Sequence, residues 1–359
     1  MADVNRVLRV EKGHAEIVEK PFPNVREGFV LVRIEIAPIC TEQKVYSTGF
    51  LEWYERHDCL GHEGVGVIER IGPGVSEHKE GDRVIIYQGW PCGHCWVCAH
   101  GLGPTHCQHF RGFEEIEAHN RSASGAGGFS QYRLAPTSMV QRIPDTLDWK
   151  YASSANCLIG CTYTAVRELD IGPEDVCLVA GIGFIGHATI VNLRHRNARV
   201  IALGRNAQRL KLARELGADL VLDPDADDWL EVLRAATPDG RGVDAAFEGS
   251  GYPYYQSRAL AACRAYGTVV LLGYAAQEAD MKWAIQTETE LCWSHKHITA
   301  SFDVAFNHRA DLVELLQQPS IQAPIDRMVT HQVPMSRAAD AFEAILAGEA
   351  CKVHLLPQL

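Results

Sequence analysis

His62 and Glu63 stand side by side in Gly61-His62-Glu63-Gly64-Val65-Gly66, just ahead of an apolar alternation rich in glycine. That context puts an imidazole at the entry to a strand, where a rigid element can aim it. A histidine alone there would only satisfy its own hydrogen bonds. Cys40 upstream and Cys157 downstream change the chemistry on offer. Two thiolates and one imidazole leave the fourth position of a tetrahedral zinc open for water or substrate, the arrangement of a catalytic site.

A second group of donors is closed. Cys92, Cys95 and Cys98 are spaced by three, and Cys107 follows nine residues later. Four thiolates in one short loop fill every position on zinc and lock the loop without doing chemistry. Four cysteines also hold iron–sulfur clusters, although beside a separate zinc constellation the closed zinc is the stronger reading. A third motif, Gly181-Ile182-Gly183-Phe184-Ile185-Gly186, follows an apolar strand and opens a helix. Its glycines allow a tight turn and let backbone amides approach a pyrophosphate at the helix N-terminus.

The elements that carry these motifs fall into two kinds. Residues 30–36 alternate, Gly81-Asp82-Arg83 reads as a turn, and residues 84–87 form a second strand, so the N-terminal part is β-rich. From residue 176 onward the period changes. Strands at 176–180, 200–203, 220–222, 243–247 and 268–273 alternate with helices at 184–196, 207–216, 227–236 and 256–265, the signature of a doubly wound parallel sheet. Residues 335–347 read as an amphipathic helix, and the last strand, 352–356, needs a sheet to join, for which the β-rich part is available. The expected domains are therefore 1–154 with 295–359, and 155–294.

Composition agrees with an ordinary globular protein of two domains: 359 residues, 47% hydrophobic and 22% charged. A formal charge of -11 with no basic run argues against nucleic acid or an anionic membrane as partner, and for small molecules. The N-terminus lacks an apolar signal core, and no apolar stretch reaches the ~20 residues that span a bilayer, so a soluble, cytoplasmic protein is expected. Among the twelve cysteines, Cys59, Cys177, Cys263, Cys292 and Cys351 read as packing residues.

Cofactor choice turns on the second strand of the parallel sheet. About 20 residues beyond the glycine motif, a carboxylate would accept the ribose hydroxyls of NAD. The chain instead has Gly204-Arg205-Asn206, with Arg209 one turn on. A guanidinium suits a 2′-phosphate, which favours NADP and leaves NAD as the alternative.

Together these residues resemble the zinc-dependent medium-chain dehydrogenase/reductase family, the alcohol and polyol dehydrogenases, over nearly the whole chain. Gly61-His62-Glu63, Gly66, Gly72 and Val75 are similar to its zinc signature, the cysteine knuckle to its structural lobe, and Val329-Thr330-His331, Ala341-Phe342-Glu343 and Lys352-Val353 to its C-terminal segment. The resemblance implies a GroES-like catalytic domain, a Rossmann cofactor domain and two zinc ions per chain. It implies that Cys40, His62 and Cys157 bind the catalytic zinc, with Glu63 as neighbour or exchangeable ligand, and that Ile185 packs behind the nicotinamide. Cys157 is preferred to Cys161 because its 24-residue offset to Gly181 resembles the family spacing.

Three positions depart from the family pattern. The interval from Cys98 to Cys107 is one residue longer than usual and His106 takes the usual place; Cys107 is the expected ligand. Glu42, after Thr41, stands where the family often carries the hydroxyl of a proton relay. Gln88 replaces a pocket aromatic and Tyr46 resembles the polyol dehydrogenases, which implies a polar substrate. The function implied is hydride transfer between NADP and a secondary alcohol or ketone, of polyol, sugar or cyclitol type. The alternatives are a simple alcohol or aldehyde with NAD, or a catalytically silent dinucleotide-binding protein, which would be expected to lack a zinc ligand. An exposed strand edge near residues 275–285 predicts a two-fold homodimer, from which a tetramer could be built.

Overall fold

The computed structural model describes residues 4–51, 54, 56–274 and 282–359. Its strands, in chain order, are β1 (Val4–Glu11), β2 (His14–Pro21), β3 (Phe29–Pro38), β4 (Gly64–Ile71), β5 (Arg83–Ile86), β6 (Tyr132–Pro136) and β7 (Val140–Arg142). There follow β8 (Val176–Ala180), β9 (Arg199–Leu203), β10 (Leu220–Leu222), β11 (Val243–Glu248), β12 (Cys263–Leu271), β13 (His297–Ala300), β14 (Val329–Pro334) and β15 (Lys352–Leu356). The chain divides into two compact units, Met1–Cys157 with Asp303–Leu359, and Leu158–Phe302.

The first unit is built on a sheet ordered β14-β15-β3-β4-β5-β7, with β6 paired to β3, and a separate β1-β2 hairpin. Its core gathers Phe29, Val30, Ile34, Leu60, Val84, Phe129, Leu134, Phe342 and Val353. β15 lies antiparallel to β3, with His354 opposite Pro38, and the amide of Ile39 donates to the Val353 carbonyl at 2.9 Å. This pairing carries the C-terminal strand to the segment that ends in Cys40.

The second unit is a parallel sheet ordered β10-β9-β8-β11-β12-β13, a doubly wound arrangement whose strand order reverses between β8 and β11. β8 is buried along its whole length, as a strand covered on both faces must be, which is why it reads as the unbroken run Val-Cys-Leu-Val-Ala. Val176, Leu178, Ile201, Leu203, Ala246, Leu260 and Val269 form the core of this unit.

The division falls a little away from the expected domain limits. Residues 155–157 belong with the first unit, where the Asn156 side-chain Nδ2 donates to the Ile86 carbonyl at the end of β5. Residues 295–302 belong with the second, because His297–Ala300 pairs in parallel with β12 and becomes the sixth strand. Among the described residues, β13 is therefore the edge of that sheet. Of the segment 275–285 expected to form the edge, residues 275–281 lie outside the described residues. No described helix is long and apolar enough to cross a membrane.

Candidate active site and metal centres

Cys40, His62, Glu63 and Cys157 come together in the first unit, each offering one ligand atom, all within 4.8 Å of one another. Cys40 follows β3 and His62-Glu63 lead into β4. Gly61, at φ +92, makes the turn that presents them; a Cβ there would meet the Phe129 amide nitrogen at 2.4 Å, so only glycine fits. Cys157 is placed by its neighbour Asn156, and its sulfur lies 3.2 Å from His62 Nε2. The hydrogen bond with Cys157 and then burial push the Cys40 thiol well above its usual range. The protein alone does not make this thiolate; a divalent cation would. Two thiols, one imidazole and one carboxylate match the donor preferences of zinc.

A buried layer orients these donors. Glu42 is fully buried, and its Oε2 accepts from the Cys40 amide at 2.8 Å. Its Oε1 accepts from the His62 amide at 3.2 Å, from His62 Nδ1 at 2.8 Å and from the Tyr54 hydroxyl at 2.6 Å. Burial alone would raise this carboxyl, but the charge and hydrogen bond of His62 and the Tyr54 hydroxyl hold it down at about 2. An ionised Glu42 assigns the Nδ1 proton, so Nε2 is the nitrogen turned toward Cys157 and the donor group. Glu42 was expected at the place of a proton relay. There it accepts from His62, Tyr54 and the Cys40 amide, with both oxygens engaged.

Glu63 is held from two sides. Its Oε1 accepts from Lys352 Nζ at 2.8 Å and its Oε2 from the Cys157 amide at 3.2 Å, while Oε1 stands 3.9 Å from His62 Nε2. Lys352 is fully buried; burial would lower its pKa, but Glu63 and then the thiols of Cys40 and Cys157 outweigh this and hold it above the ordinary lysine value. Local sequence carried no signal for Lys352 or Tyr54 as members of this site. Tyr46 lies outside this donor group: its hydroxyl donates to Glu343 Oε1 at 2.8 Å and its ring stacks on Phe342. Gln88 is buried just past β5.

Cys92, Cys95, Cys98 and Cys107 form the second group, again within 4.8 Å, and all four are free thiols. Cys95 Sγ lies 3.5 Å from Cys98 Sγ and 3.8 Å from Cys107 Sγ. Amides of Cys92 and His109 donate to the Cys107 sulfur, and the Cys95 amide donates to Cys92. Backbone donation, led by Cys98, pulls Cys95 down to about 6, whereas burial above all pushes Cys98 up to about 12. Backbone bonds from Phe306 and Asn307 to Leu102 and Gly101 fasten the loop. Cys107, not His106, is the member of this group.

In the second unit, Gly181 turns at φ +87 after β8, and Gly183 leads into the helix Phe184–His195. A Cβ on Gly186 would meet the Gly181 carbonyl oxygen at 2.3 Å, whereas one on Gly183 would meet nothing within 4 Å. The turn is therefore tight where helix packs on strand and bare where a pyrophosphate would approach the helix N-terminus. After β9, Arg205 is exposed with its guanidinium 5.4 Å from the Tyr254 ring centroid. Asn206 caps the following helix by accepting from the Arg209 amide at 3.0 Å. The neighbourhood also holds a carboxylate that the local sequence did not reveal: Asp225 accepts from the Tyr254 hydroxyl and acts electrostatically on Arg205.

A family model described as "Alcohol dehydrogenase GroES-like domain" matches residues 26–145, and one described as "Zinc-binding dehydrogenase" matches residues 185–317. An alcohol dehydrogenase of Rhizobium meliloti (strain 1021) is 32% identical over 261 residues, 72% of this chain and 73% of that one. A sorbitol dehydrogenase of Halalkalibacterium halodurans is 28% identical over 357 residues, 96% of each chain. A solved zinc-binding dehydrogenase structure from Sinorhizobium meliloti 1021, bound to NADP, superposes with a TM-score of 0.82 at 25% identity, covering 99% of this chain and 100% of that one.

Proposed function

The chain belongs to the zinc-dependent medium-chain dehydrogenase family and is an oxidoreductase of the alcohol or polyol dehydrogenase type; from that premise we propose that it moves a hydride between NADP and a secondary alcohol or ketone of polyol, sugar or cyclitol class. The observation that carries the reading is the convergence of Cys40, His62, Glu63 and Cys157 within 4.8 Å. Bound there, zinc would supply the charge that polarises the substrate oxygen, and a nicotinamide would take the hydride with its electron pair from the carbinol carbon. Cys40, His62 and Cys157 are the holding ligands. Glu63, drawn aside by Lys352, stands as the exchangeable fourth, and Glu42 keeps the coordinating nitrogen of His62 pointed inward. The four-cysteine loop is assigned a second, structural zinc. A catalytically silent protein is disfavoured by the complete donor set.

The first unit is assigned the chemistry and the second the cofactor, with the pyrophosphate over Gly183, Ile185 behind the nicotinamide, and Arg205, backed by Arg209, at the 2′-phosphate. The NADP-bound similar structure supports this choice of cofactor. One observation favours NAD as a second reading: Asp225 brings a carboxylate into the neighbourhood of Arg205. The polyol class is supported by the sorbitol dehydrogenase likeness over 96% of the chain. Pairing of two chains along β13, the open edge of the parallel sheet, is the proposed dimer contact.

Metal analysis of protein purified without chelator should give two zinc ions per chain. A panel of polyols, sugars, cyclitols and simple alcohols, each tried with NADP and NAD, should show reduced nicotinamide forming fastest with a polyhydroxylated substrate and NADP. Fastest turnover of a simple alcohol with NAD would overturn the finer assignment.

A further inference from the structure

Arg133 on β6 is among the largest side chains of the protein to be wholly buried. Its Nη1 donates to the main-chain carbonyl of His62 at 3.2 Å, while Nε and Nη2 have no hydrogen-bond partner in the protein. Among the described residues, no carboxylate lies within ion-pairing distance of it. A guanidinium buried on such terms is expensive, and apolar residues of similar volume often replace buried ions without loss of stability. The fold nonetheless makes room for it. A Cβ on Gly128 would come within 3.3 Å of Nη1, and one on Gly64 within 3.9 Å, so two glycines leave the path open from β6 to His62.

The neighbours close a ring around one residue. The guanidinium carbon lies 5.9 Å from the Phe113 ring centroid, and Phe113 stacks on Tyr54 at 5.5 Å. The Tyr54 hydroxyl donates to Glu42, which accepts the His62 Nδ1 proton. Burial lowers the Arg133 pKa to about 10, still far enough above neutrality for the side chain to be a cation, and Glu42 is one of the groups whose charge favours that state. Main chain and ring of the same histidine are thus gripped from opposite ends of one buried network.

We infer that Arg133 is a positioning residue for the catalytic metal site, clamping the backbone of His62 while Glu42 and Tyr54 clamp its imidazole. The inference rests on the zinc assignment of Cys40, His62, Glu63 and Cys157. Partners of this kind behind a metal ligand change metal affinity by about ten- to a hundredfold. The chain carries its own control, because the four-cysteine site lies outside this network.

The test is zinc release from the full-length, zinc-loaded protein into a chelating dye, comparing the natural protein with Arg133→Met and Arg133→Lys. Release from the catalytic site should accelerate about tenfold or more in Arg133→Met. Release from the four-cysteine site should be unchanged, thermal stability should be equal or higher, and Arg133→Lys should lie between. Should Arg133→Met fail to fold, Arg133→Lys decides by the same comparison of the two sites. Equal acceleration at both sites, or none at either, overturns the inference. Natural protein that releases only one zinc per chain would instead overturn the zinc assignment beneath it.

Discussion

Replacing Lys352 by methionine isolates the pair that holds Glu63. The ammonium and carboxylate are 2.8 Å apart, with side chains 1% and 0% exposed. At an effective dielectric constant of ~20, two unit charges at that separation attract by about 6 kcal/mol. Desolvation opposes part of this, and removing one partner of a buried pair typically costs about 3–5 kcal/mol, because the other charge is left alone in the interior. Lys352→Met should therefore destabilise by ~3–5 kcal/mol, and Glu63→Gln, which strands the ammonium, by a similar amount. The double variant removes both charges and should be less destabilised than the sum of the single losses by at least about 2 kcal/mol. Denaturant unfolding of zinc-free protein, in which no metal cation can stand in for Lys352 beside Glu63, followed by tryptophan fluorescence, measures all four corners of the cycle. If the double loss equals the sum of the single losses within about 0.5 kcal/mol, the two side chains are not coupled and the argument fails.

Arg205→Ala should raise the Michaelis constant for NADP by about tenfold, the scale of one charge-assisted contact at an exposed site, while leaving that for NAD nearly unchanged; steady-state kinetics with both cofactors checks it, and equal effects on the two would reduce Arg205 to a surface residue. Cys98→Ser should cost one zinc per chain and lower the thermal midpoint while nucleotide binding, read by fluorescence titration, persists. Burial holds His187, on the helix after the glycine turn, at about 4 against its ordinary 6.5. Only the unfolded chain takes up this proton in between, so the contribution is fully present above pH 6.5 and fades as pH falls toward 4, by up to about 3 kcal/mol. His187→Gln should flatten the pH dependence of unfolding across that window; an unchanged slope would refute the assignment.

Much of this molecule is written locally. The four-cysteine loop, the glycine turn after β8 and the His62-Glu63 pair depend on residue types at short spacing, and short spacing survives folding unchanged. Strand β8 was legible because burial on both faces leaves an unbroken apolar run, whereas residues 263–265, expected to close a helix, instead open β12, whose exposed Tyr266 breaks any such run. What surrounds each motif was not legible, because it is set by strand register and packing between segments far apart in the chain. Lys352 meets Glu63 across 289 residues only because β15 pairs with β3 beside Cys40. The placement of Arg133 behind His62 follows from the pairing of β6 with β3, and that of Asp225 near Arg205 from the loop after β10. Glu42 and Tyr46 sit on one short helix with equal claims to function by sequence. Tertiary packing turned the first toward His62 and the second onto Phe342, because a buried carboxylate must find donors and a buried ring must find a face.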